Sequence, residues 1–487
     1  MKKCIFLLCV AAVLAAGACQ PPLDIIDLGG DKWWAVDFTK TSKQQGYFYQ
    51  VSSNLLYVGE KCLIYVESGS AVSEADAREF ASEYDGTIHG LMLEYFSERE
   101  FEVDQITYAE TLEYAYNLVG DQDKLIILLL DIKDGYKGRP GDGYVAGYFD
   151  PTNFYYGNNS NYKSMIYVDT NPGMRNKEEM FSTFTHELQH LINYVTSIRI
   201  RPNGQNPYPY QMDTWIDEGL SLMAERLYQG HLESRIAWFN EDRAGTIARG
   251  NNFYVWDNYE NYPNAVLDEY ATAYLFFQWL YLQADENPAL LKGIATSDKH
   301  DYHALTENTA SVIPNGGDWE TLLRTWMAAN YINNSTGVYG YKGKSAFATI
   351  NINAYPNTGN TIELFPGEGV YSAIASSFTP SVGSGANVRY AGLQKGSAVN
   401  VNASGPSYTG AYLLTFNINT TNSKEIMQRE KGYVTGVSAI PFGAVAASRS
   451  VENFSYPIRI DARDLMRRNN ESPQIMGSPV NGKAIAK

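Results

Sequence analysis

The residues best able to do chemistry lie in Thr183-Phe-Thr-His-Glu-Leu-Gln-His-Leu-Ile-Asn193, where His186, Glu187 and His190 spell His-Glu-x-x-His. On a helix, residues four apart lie one turn above each other, so both imidazoles point into one cleft and can share one metal ion. Glu187 sits beside them, where a carboxylate can take a proton from water. The spacing is a zinc-peptidase signature. Two histidines on a helix are also often plain core or surface residues, so the reading needs a second source of ligands.

That source is Ile216-Asp-Glu-Gly-Leu-Ser-Leu-Met-Ala-Glu-Arg-Leu227. Ile216, Leu220, Met223 and Leu227 recur at helical spacing, which leaves Glu218, Ser221 and Glu225 together on the other face. A catalytic zinc takes three protein ligands and keeps one position open, and two His plus one Glu is a known set. Glu218 is the expected third ligand, its alternative being an exposed acid at a helix start, stabilised by the helix dipole.

The elements that must position these groups follow from periodicity. On a wheel of about 100° per residue, Phe181, Phe184, Leu188, Leu191 and Ile192 form one stripe and His186 and His190 fall roughly opposite, so the helix should hide one face and offer the other. Ser164-Met-Ile-Tyr-Val-Asp169 reads as the strand leading into it, Lys124 to Asp131 as a buried central strand, and Cys62 to Val66 as another. Val72 to Tyr84 has helical spacing with Ser73 as N-cap, and Thr111 to Val119, Asp268 to Leu282 and Trp319 to Tyr331 are further expected helices. Between Asp131 and Asn161 the Gly, Asp, Asn and Tyr content indicates a long functional loop. Its acids could bind calcium, although no regular ligand spacing supports that. His89 has no metal-spaced companion and reads as structural.

At 487 residues the chain can hold two or three domains, and its net charge of −16 opposes nucleic acid and anionic membrane surfaces as partners. Lys2, Lys3 and the apolar run Ile5 to Ala16 form a signal peptide, 1–18, too short to span a bilayer. The ending Ala16-Gly-Ala-Cys19 resembles a bacterial lipobox, with Ala16 where Leu is usual, and makes Cys19 the candidate lipidation site; ordinary cleavage and secretion is the alternative. Processing leaves Cys19 and Cys62, so a lipidated Cys19 leaves Cys62 without a disulfide partner. A tether is expected over 19–45, a catalytic domain over 46–335, a β-sandwich-like domain over 340–466 from short alternating runs, and a disordered tail over 467–487.

With His186-Glu-Leu-Gln-His190, Trp215-Ile-Asp-Glu-Gly-Leu-Ser, the Tyr270-to-Tyr274 helix and Tyr144-Val-Ala-Gly-Tyr-Phe-Asp-Pro placed, residues 45–335 resemble the hyicolysin family of secreted bacterial zinc metallopeptidases. The wider group is the gluzincins. The resemblance implies His186, His190 and Glu218 as ligands of one zinc per chain and Glu187 as catalytic acid/base. It also implies an α+β fold with a zincin-like core, a mixed N-terminal sheet with helices and an α-rich lower half, followed here by a C-terminal all-β domain. Thermolysin-like members carry an Asp four residues after the Glu ligand, where this chain has Leu222. Gluzincin aminopeptidases share the Glu-Gly start and an acid seven residues on, here Glu225, which would support the ligands from behind. Their Gly-x-Met-Glu-Asn motif is missing, so no exopeptidase is implied.

The expected activity is hydrolysis of peptide bonds in protein substrates by an envelope-anchored lipoprotein. A non-catalytic, surface-binding zinc lipoprotein is the competing class. The oxyanion needs a further donor besides the metal. Tyr270 is the choice, with Tyr274 and His231 as alternatives. Oligomeric state is not readable from the chain.

Overall fold

The computed structural model describes residues 31–40, 44–99, 101, 106–107, 117–118, 124–139, 144–154, 159–201, 203, 209–242, 245–250, 253–254, 265–355, 364, 366–380, 386–396, 399–420 and 459–460. Its N-terminal half is built on a six-stranded sheet. Strands β1 (Asp31–Val36), β2 (Phe48–Val58) and β3 (Cys62–Glu67) run antiparallel in sequence order. After α1 (Glu74–Glu83) and α2 (His89–Tyr95) come the short pair β4 (Ile106–Thr107) and β5 (Asn117–Leu118), then β6 (Leu125–Leu130), β7 (Tyr144–Val145), β8 (Gly147–Phe149) and β9 (Met165–Asp169). The sheet order is β1-β2-β3-β6-β9-β8, with β3, β6 and β9 mutually parallel and β8 an antiparallel edge.

All six residues of β6 are buried because both faces of the sheet are covered. Side chains alternate, so Leu125, Ile127 and Leu129 enter the core under the helices, while Ile126, Leu128 and Leu130 enter a second core with Trp33, Val51 and Tyr148. That second core exists because the sheet curls until its ends meet. Val36 N–H donates to the Tyr148 hydroxyl over 3.1 Å, and Trp34 N–H donates to Asn161 Oδ1 over 2.7 Å. Residues 31–36, expected within a tether, are therefore the first strand of the sheet, their backbone matched to β2 from Asp31–Ser53 to Val36–Phe48.

The helices follow the sequence pattern closely. Ser73 caps α1 with a full capping box, its hydroxyl accepting from Asp76 N–H while the Asp76 carboxylate accepts from Ser73 N–H. The long helix α3 (Lys177–Ile200) is capped by Asn176 and followed by α4 (Thr214–Gln229), α5 (Glu233–Glu241), α6 (Thr246–Arg249), α7 (Ala265–Gln283), α8 (Pro288–Ala295), α9 (His303–Thr309) and α10 (Trp319–Ile332). Helix α3 buries the histidine face it was expected to offer as well as its apolar stripe. Every residue from Met180 to Ile198 is buried, with β8 and β9 on one side and α4 on the other. Gly219 lets α4 approach α7, since a Cβ there would run into the Phe277 ring. Where a helix over Thr111 to Val119 was expected, Asn117–Leu118 is a strand paired with Ile106–Thr107, and the rest of that stretch lies outside the described residues.

In the C-terminal region β10 (Gly369–Ala373), β12 (Val388–Gln394), β13 (Asn400–Asn402) and β15 (Tyr412–Asn417) form an antiparallel sheet of order β10-β15-β12-β13. One face, with Tyr371, Ala391, Leu393, Leu414 and Phe416, packs into the helical core against α10, and Tyr371 donates its hydroxyl to Met327 O over 2.8 Å. The other face, with Val388, Tyr390 and Leu413, is covered by the ribbon of β11 (Ser377–Phe378) and β14 (Tyr408–Thr409). Among the described residues, then, the expected sandwich is a single sheet between a helix and a two-stranded ribbon. A final strand, β16 (Arg459–Ile460), pairs with β7. The leader 1–18, Cys19 and the tail 467–487 lie outside the described residues.

Candidate metal centre

Helices α3 and α4 pack so that residues ascending one meet residues descending the other: His186 meets Glu225, His190 meets Asp217 and Glu218, and Asn193 meets Asp217. The faces read from the sequence thus point at each other. His186 Nε2 and His190 Nε2 lie 3.0 Å apart, and Glu218 Oε2 is 3.4 Å from the first and 3.6 Å from the second. Donors held about 2.0–2.2 Å from a tetrahedral centre stand roughly 3.3–3.6 Å from one another, so both Glu218 separations match a zinc site and the two imidazole nitrogens stand slightly closer than that range. Among the described residues, His186, His190 and Glu218 are the group of His, Cys, Asp and Glu that converges in this way. All three are buried. Glu187, Asp217 and Glu225 are buried beside them, an acidic cluster that a divalent cation at its centre would offset.

Each imidazole is held from behind. His186 Nδ1 lies 2.7 Å from Glu225 Oε1, and His190 Nδ1 lies 3.1 Å from both Asp217 Oδ1 and Ser221 Oγ. With Nδ1–H donating, Nε2 keeps its lone pair for a metal. Asp217 is itself fixed by Asn193 Nδ2, which donates to Oδ1 over 2.6 Å. Sequence reading passed over Asp217 because it attended to the Glu218, Ser221, Glu225 face. The signal was present in the requirement that each ligating His have an acceptor at its other nitrogen.

Glu187 faces the edge of the sheet. Its Oε2 accepts the backbone N–H of Phe149 over 3.1 Å. Strand β8 can come this close because Gly147 lacks a side chain: a Cβ there would stand 3.0 Å from Tyr167 O, 3.1 Å from Thr183 Cγ2 and 3.4 Å from Glu187 Cγ.

The Tyr270 ring centroid is 5.8 Å from Arg235 Cζ, and Arg235 Nη2 is 3.7 Å from Glu225 Oε1, so two residues, Arg235 and Glu225, stand between Tyr270 and His186. The alternatives are engaged elsewhere. The Tyr274 hydroxyl accepts Leu232 N–H over 2.9 Å, and His231 packs edge-on to Phe347 with burial lowering its pKa. His89 is buried between Tyr84 and Phe101, as its isolation suggested. Asp134, in the loop after β6, accepts from Tyr136 N–H and Val145 N–H, and Asp150, just after β8, accepts from Thr152 N–H. Those carboxylates tie their own stretches of chain together.

No protein-family model matches the chain. It is similar to the neutral metalloprotease ShpI of Staphylococcus hyicus, 26% identical over 320 residues, which cover 64% of this chain and 66% of that protein. The chain thus matches just under two thirds of the relative's length. A metalloprotease relative and a buried His-His-Glu cluster together fit metal-dependent proteolysis. Among the described residues no helix is long and apolar enough to cross a membrane.

Proposed function

We propose that the chain is a zinc-dependent endopeptidase of the hyicolysin type, in the gluzincin group, acting on proteins. The observation that carries this is the meeting of His186 Nε2, His190 Nε2 and Glu218 Oε2 within 3.6 Å, with Glu187 adjacent on the same helix. His186, His190 and Glu218 would hold the metal. When bound, zinc supplies Lewis acidity that polarises a peptide carbonyl and acidifies water. Glu187 then takes the water proton and delivers it to the leaving amine, base first and acid second. The Phe149 N–H bond keeps that carboxylate from swinging away. Glu225 and Asp217 orient the two imidazoles. Tyr270 is assigned the hydrogen bond to the oxyanion, which Tyr270→Phe would weaken without releasing zinc; unchanged kcat in that variant would remove the role.

The likeness to ShpI and the edge strand beside Glu187 support a protein substrate. An extended chain laid along β8 would pass the carboxylate. Attachment to the bacterial envelope through Cys19 belongs to the same reading. Cleavage of casein that stops on chelation and returns with zinc tests the proposal. Zinc uptake without any cleavage would favour a surface-binding lipoprotein instead.

A further inference from the structure

Behind the metal centre stands a side chain that sequence reading did not single out. Arg235, on α5, is 8% exposed. Its Nη2 lies 3.7 Å from Glu225 Oε1, and the same oxygen lies 2.7 Å from His186 Nδ1. The guanidinium is itself held in place. Its carbon is 4.3 Å from the Trp238 ring centroid and 5.8 Å from that of Tyr270, and Nη1 donates to Ser234 Oγ over 3.3 Å.

We propose that Arg235 is a positioning residue for the metal centre, acting through Glu225 on His186. The inference rests on the metallopeptidase reading and extends it to a residue outside the helices that carry the ligands. To bind a metal through Nε2, His186 must carry its proton on Nδ1, and Nδ1–H needs an acceptor in a fixed direction. Glu225 is that acceptor, yet it is buried, and burying a carboxylate is costly unless it is paired. Arg235 supplies a positive charge that does not titrate in the working range, on a planar fork that aromatic rings can clamp. The second imidazole is braced differently. Behind His190, Asp217 is held by the neutral amide of Asn193 at 2.6 Å. The two ligands therefore have unequal immediate supports, a guanidinium 3.7 Å from the acceptor behind His186 and an amide 2.6 Å from the acceptor behind His190.

The test uses full-length protein carrying R235M, R235K, E225Q or R235M/E225Q. Zinc alone is loaded and then withdrawn by a competing chelator, the metal-free proteins are melted by circular dichroism, and casein cleavage is followed at saturating zinc. R235M is expected to loosen zinc by about 10- to 100-fold, the usual cost of losing a group behind a metal ligand. R235K should recover part of this, and R235M should add little in the E225Q background, because the two act in series. Wild-type zinc affinity in R235M overturns the proposal. So does an R235M effect as large with E225Q present as without it. If R235M does not fold, R235K decides: looser zinc than wild type, vanishing in the E225Q background, supports the series, and any other pattern overturns it. Wild-type protein that takes up no zinc removes the metallopeptidase reading itself, a result visible before any Arg235 variant is made.

Discussion

Phe149 donates its backbone N–H to Glu187 Oε2 across 3.1 Å, joining the edge of the sheet to the carboxylate proposed as acid and base. Glu187→Gln leaves an amide oxygen able to accept that bond, so the side chain should stay in place while losing the ability to take a proton. Activity should fall about a hundred- to ten-thousand-fold with zinc still bound. Glu218→Gln should instead weaken zinc retention, since an amide is a poorer ligand than a carboxylate. Metal analysis beside casein cleavage separates the two; wild-type cleavage by zinc-loaded E187Q would end the mechanism.

Gly147→Ala should harm catalysis more than folding. The added methyl would meet Tyr167 O at 3.0 Å and Thr183 Cγ2 at 3.1 Å, so β8 must shift by a few tenths of an ångström and carry Phe149 N–H with it. A displaced catalytic group can cost on the order of a hundredfold in rate. Kinetics and a melting curve on the same sample check this, and equal loss in both would mark Gly147 as structural only.

Asp169, at the end of β9, accepts from Ile132 N–H at 3.1 Å and Gly173 N–H at 3.0 Å, and burial pushes its pKa up to about 7 despite those bonds. The folded state then holds a proton that the unfolded chain releases near pH 4. The stabilisation is complete below that value and is lost as pH rises through about 7, a loss of at most about 4 kcal/mol. Urea midpoints measured from pH 4 to 8 should show this fall in wild type and a flatter profile in Asp169→Asn. Parallel profiles would assign the slope to other groups.

Cys19 carries the localisation proposal. Its replacement by Ala should move the protein from the detergent phase to the aqueous phase, because an acylated N-terminus is the expected anchor. Undiminished partitioning of C19A into detergent would defeat the lipobox reading.

What was legible in the chain was whatever short-range periodicity controls. A spacing of four, close to one helical turn, brings His186 and His190 onto one face, and the apolar stripe of the next helix turns Glu218 and Glu225 the opposite way, so the candidate ligand set could be written down without coordinates. The β6 strand and the Ser73 cap are likewise local facts. The remaining relationships are pairings between distant segments. That Asp217 serves His190 while Glu225 serves His186 follows from the opposed packing of α3 and α4, and Arg235 reaches Glu225 because α5 folds back against them. Asp31–Val36 became a strand because a curled sheet supplied β2 and Asn161 as backbone partners, and the C-terminal strands became one sheet because α10 took the face a second sheet would have covered. Period and composition say which faces are apolar; which neighbour covers each face is decided by the tertiary structure, because burying apolar surface is non-directional and is satisfied by any surface that fits.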